Sequence, residues 1–121
     1  MMFRSLCLSA VLTVVAAGAH AQQSAPAPRT AADSVFARAQ QLVANGSGAA
    51  GRAIVDSMIT VTLPDTPAYA EALYWRGSLA ATSADAEGDF RRIAVEYPLS
   101  PRAGDALLRL SQIELARGDR A

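Results

Sequence analysis

The stretch from 63 to 80 reads LPDTPAYAEALYWRGSLA, and the stretch from 97 to 114 reads YPLSPRAGDALLRLSQIE. Laid over each other at an offset of 34, Pro64 meets Pro98 and Pro67 meets Pro101. Ala72-Leu73 meet Ala106-Leu107, and Asp85 meets Asp119. Thr66/Ser100, Glu71/Asp105 and Leu79/Ile113 are conservative partners. A repeat of this length that holds two helices cannot bury its apolar face alone, so it stacks on its neighbours. The repeat therefore argues for an all-α chain of stacked helix pairs.

Helix signals place five segments. The first runs from Asp33 to about Ala44, with Asp33 or Ser34 as cap and Asn45-Gly46 as stop. The second runs from about Ala49 to Thr62, ended by Leu63-Pro64. Its end, MITVTL, is rich in β-branched residues, so a short strand is the alternative there. The third spans about Pro67 to Ala81, with proline in the first turn, where its missing N–H costs nothing. The fourth spans about Ala84 to Tyr97 and the fifth Pro101 to Arg117. Ala86, Phe90, Ile93, Ala94 and Tyr97 make one stripe; Ala103, Ala106, Leu107, Leu110 and Ile113 make another. Leu108 and Leu115 add a second apolar face to the fifth helix.

The first 21 residues stand apart. Arg4 precedes an apolar run from Leu6 to Ala17, and Ala19-His20-Ala21 offers a small-x-small cleavage site. That is the layout of a secretory signal. The run is shorter than the roughly 20 residues a membrane span requires, which disfavours an uncleaved anchor and stable membrane insertion. Cys7 lies at the front of the run, where a lipid-modified cysteine does not belong. Residues 22–32, QQSAPAPRTAA, read as a flexible linker before a repeat domain at 33–121.

After residue 21 the chain has no Cys, His or Lys, and ten arginines face eleven acids for a formal charge of −1. There is no basic footprint for nucleic acid. Ser-His-Asp, Cys-His, His/Cys zinc, Schiff-base and P-loop chemistry all lack a required residue. The expectation is a non-enzyme without cofactor or metal.

Two motifs imitate sites. Gly46-Ser47-Gly48-Ala49-Ala50-Gly51 fits G-x-G-x-x-G, but a helix precedes it and only 13 residues separate Gly51 from Asp65. A dinucleotide fold needs a strand before the glycines and a second strand before the acid. Asp85, Glu87, Asp89 and Glu96 sit at the first, third, fifth and twelfth places of a calcium loop, but Phe90 holds the place of the turn glycine. The aromatics Tyr69, Tyr74, Trp75 and Tyr97 read as packing residues.

Leu73, Arg76-Gly77 and Ala80, then Ala86, Phe90, Ile93 and Pro98, resemble the two helix cores of the tetratricopeptide repeat. FRRIAVEYPLSPRAGDALLRL is similar to repeats of periplasmic cell-division coordinators and outer-membrane-assembly lipoproteins of Gram-negative bacteria. Those also use a Tyr-Pro-x-Ser-Pro link. The resemblance covers roughly 33–121, strongly over 66–119, and implies an antiparallel helix-pair solenoid of about two and a half repeats. Departures are a short turn after the third helix, Gly88 inside the fourth, and Arg76 where the family has leucine. The sequence given also ends at Asp119-Arg120-Ala121, where a further helix would begin.

The resemblance implies an exported, periplasmic scaffold that binds a protein or peptide on the concave surface lined by the first helix of each pair. Aligning those helices gives an acidic column of Asp33, Glu71 and Asp105. An apolar column of Phe36, Tyr74 and Leu108 follows, then a polar column of Gln40, Ser78 and Gln112. Apolar anchors flanked by amides and carboxylates suit a peptide or a partner helix. The rival reading is an N-terminal repeat arm of a longer protein, whose further part binds peptidoglycan or carries catalysis.

Overall fold

The structure is a computed structural model that describes residues 30–118. The described residues form five α-helices and no strand: α1 (Ala31–Ala44), α2 (Gly48–Val61), α3 (Pro67–Ser78), α4 (Ser83–Glu96) and α5 (Ala103–Gly118). The all-α expectation holds. The signal at 1–21 and the linker up to residue 29 lie outside the described residues.

The starts of α1, α3 and α4 follow capping threonines. α1 starts two residues before the expected Asp33, because Thr30 is the cap. The Asp33 N–H donates to Thr30 Oγ1 at 3.1 Å, and the Thr30 N–H donates to Asp33 Oδ2 at 2.8 Å. This reciprocal box satisfies two donors that the helix cannot. The β-branched end of α2 stays helical to Val61, and the Thr62 hydroxyl donates to Met58 O at 2.6 Å. α3 ends three residues before the expected Ala81. Thr82 is extended and caps α4, accepting from the Asp85 N–H at 3.1 Å, so the chain must leave α3 earlier. Pro101 and Arg102 form a turn ahead of α5, with the Arg102 N–H on Ser100 Oγ at 3.1 Å.

Each helix packs on the next in chain order. α3 and α4 run antiparallel: Tyr69 meets Tyr97 at one end, and Arg76 meets Asp89 further along. α3 is the central helix and belongs to two cores. Ala72 and Leu79 face Phe36, Ala39 and Val55 of α1 and α2. Tyr69, Ala70, Leu73 and Tyr74 face Phe90, Ile93, Tyr97 and Ala106 of α4 and α5. Trp75 packs against both. No described helix is long and apolar enough to cross a membrane.

The glycines of the G-x-G-x-x-G stretch have structural duties. Gly46 takes a positive φ of 87° just after α1, a conformation open to glycine. Gly51 lets α2 approach α1: a Cβ there would lie 2.5 Å from Ala39 O.

Candidate functional site

Two acids of the column, Glu71 and Asp105, meet around a residue outside the aligned columns. Arg102 donates from Nε and Nη2 to the two oxygens of Glu71, 2.7 Å each. Its Nη1 donates to Asp105 Oδ2 at 3.0 Å. The guanidinium lies 4.3 Å from the Tyr74 ring centroid, a cation–π contact. Glu71 also accepts from Trp75 Nε1 at 2.8 Å. The Arg102 bonds hold the Glu71 carboxyl below its ordinary value, against the opposing effects of burial and of the Asp33 charge. Arg102 is raised in turn, first by Glu71. Asp33 is exposed and serves the α1 cap. Glu71 and Asp105 thus form a braced joint between α3 and α5 with Arg102 between them, and Asp33 stands apart on α1. No signal in the repeat alignment marks Arg102, because Ala68 stands opposite it.

The apolar column requires a correction. Phe36 and Tyr74 are core residues, 2% and 9% exposed, and cannot serve as open anchors. Phe36 stacks on Trp75 at 5.8 Å between centroids, and Tyr74 is wedged between Trp75, Phe90 and the Arg102 guanidinium. Of that column only Leu108 is open, at 59% exposed.

The polar column is exposed throughout: Gln40, Ser78 and Gln112. Ser78 and Gln112 line one cavity of about 360 Å³ between α3, α4 and α5. Phe90, Ala86, Ile113 and Ala116 supply its apolar part, and Ser83, Arg109 and Arg117 its polar rim. Arg109 stands one 34-residue period after Trp75. Trp75 fills the joint between α1 and α3 by stacking on Phe36, whereas Arg109 borders an open cavity. Arg109 donates to Gln112 Oε1 at 3.3 Å.

The acids that imitate a calcium loop are committed elsewhere. Asp89, buried on α4, takes a two-pronged contact from Arg76, at 2.9 Å from Nε and 2.5 Å from Nη2. That pair gives the Arg76 guanidinium a buried partner. Glu87 pairs with both Arg91 and Arg117, and those two cations lower its pKa. Asp85 accepts from Thr82 Oγ1 at 2.7 Å, and Glu96 from Arg92 at 2.8 Å. Among the described residues, no group of His, Cys, Asp or Glu could hold a metal ion.

In comparisons with known proteins the chain matches no family model, no curated protein and no solved structure.

Proposed function

We propose that this chain is a tetratricopeptide-type scaffold of the bacterial cell envelope, exported and periplasmic, that binds a protein or peptide partner without catalysing a reaction. The processes in view are outer-membrane assembly and the coordination of division with wall synthesis. The observation that carries the reading is the cavity between α3, α4 and α5. Two residues picked from the helix alignment, Ser78 and Gln112, meet there over an apolar floor. A cleft with an apolar base and a few polar groups at its rim is the usual form of a recognition site. The 34-residue repeat and the export-type leader support the rest.

The test is a plug. Arg109→Trp places an indole where the preceding repeat carries one. Envelope partners captured by the full-length chain are identified, purified and titrated against the wild type and the plugged variant. The reading expects at least a tenfold loss of affinity for the variant at unchanged thermal stability. Equal affinity for every captured partner rejects the cavity as the binding site.

A further inference from the structure

The face of α5 turned away from that cavity is apolar and exposed. Leu107, Leu108 and Leu115 are 54%, 59% and 67% exposed. Leu107, Leu110, Ser111, Glu114 and Leu115 line a shallow hollow there. Leu110 also packs on the core of α3, α4 and α5, so the hollow continues that core outward.

The internal repeat says what fits it. One period earlier the same places are Leu73, Arg76 and Gly77 on α3, with Ala80 and Ala81 just beyond its end. Leu73 is fully buried, against α4 among others. A Cβ on Gly77 would lie 3.0 Å from the Phe90 ring, so the small residue there admits the aromatic. Ser111 is the small residue at that place on α5. The surface that α4 covers on α3 is thus repeated on α5, and no described helix covers it there.

α4 itself is the wrong occupant. Its Asp89 meets Arg76, and Ala80 borders the same hollow as Asp85 and Asp89. On α5 Arg76 becomes Leu110 and Ala80 becomes Glu114. A second copy's α4 would bury Asp89 against leucine and set Asp85 beside Glu114, both costly. We infer that α5 docks an amphipathic helix of a partner protein, with an aromatic residue over Ser111, an aliphatic residue just before it and a cation about one turn earlier facing Glu114. Helix-in-groove recognition with anchors at helical spacing is the mode this surface suits.

Two peptides test this on the full-length chain. One carries the chain's own residues 82–98. The other carries the same residues with Asp85→Arg and Asp89→Leu. The changed peptide is expected to bind at least tenfold tighter, and Leu107→Asp in the protein to weaken it at least tenfold. Leu107 is open, so that variant should keep its fold; Leu115→Asp is the second check. Binding should be indifferent to Arg109→Trp, which separates this surface from the cavity. Equal binding of the two peptides, no binding of the changed one, or indifference to both aspartate variants overturns the proposal. So does a homodimer in sedimentation that Leu107→Asp dissolves, because a second copy would then be the occupant.

Discussion

The Arg102 guanidinium lies flat against both oxygens of Glu71, 2.7 Å from each, and so ties the turn before α5 to the second turn of α3. Both side chains keep less than a third of their exposure, 27% for Arg102 and 29% for Glu71. A paired, forked contact of this kind is stronger than a surface ion pair.

Its pH signature follows from Glu71. The folded pKa lies below the ordinary 4.5, first because of the Arg102 hydrogen bonds. The contribution is therefore fully present above that value and is lost as pH falls through the depressed folded pKa. Glu71→Gln should cost about 1–2 kcal/mol at pH 7, and several degrees in Tm. The gap between wild type and variant should narrow as pH falls below the ordinary 4.5 and close only below the depressed folded pKa, a trend that thermal melts across the acid range would detect.

Two glycines in helices should respond oppositely to alanine. At Gly51 the new Cβ would meet Ala39 O at 2.5 Å and Val43 Cγ2 at 2.7 Å, and a backbone oxygen does not yield. Gly51→Ala should destabilise by about 1–3 kcal/mol despite alanine's better helix propensity. At Gly88 a Cβ meets nothing within 4 Å. Gly88→Ala should stabilise by up to about 1 kcal/mol. Denaturant midpoints of the two variants should move in opposite directions.

The Arg76–Asp89 pair should behave as a unit. Asp89 retains 10% of its side-chain exposure and Arg76 37%. Arg76→Leu alone strands the carboxylate and should cost about 2–3 kcal/mol, less than a fully buried pair because the guanidinium is partly wet. Adding Asp89→Leu should recover at least half of that loss. A double-mutant cycle by denaturant unfolding measures the difference, and strict additivity would count against coupling.

Aromatic truncations sort core from surface. Phe36→Ala should cost about 3–5 kcal/mol, and Tyr74→Ala a comparable amount. Leu108→Ala should change stability by no more than about 0.5 kcal/mol. A binding defect in Phe36→Ala or Tyr74→Ala would thus report unfolding, which is why the plug at Arg109 is the cleaner probe.

The helices were legible because proline, glycine and capping residues mark their ends and an i, i+4 stripe marks their buried sides. The missed boundaries have local causes: Thr30 and Thr82 outbid the acids and small residues nearby for the caps. The apolar column was misread because helix periodicity says which residues share a face, not which face another helix covers. Phe36 and Trp75 meet across two helices 39 positions apart, and no local pattern encodes that. Arg102 was invisible for a related reason: its role depends on Glu71, 31 positions earlier. Arg109, on the rim of the open cavity, stands where the preceding repeat carries the indole of Trp75.

The double membership of α3 has a dynamic consequence. Because its opposite sides complete two separate cores, loosening either one strips a wall from the other. The molecule should lack a half-melted form. Amide protons in α1 and α4, whose buried residues lie in different cores, should exchange through one shared opening event of nearly equal free energy. The leucine-bearing outer side of α5 adds nothing to that event, so the far end of α5 should open first and alone.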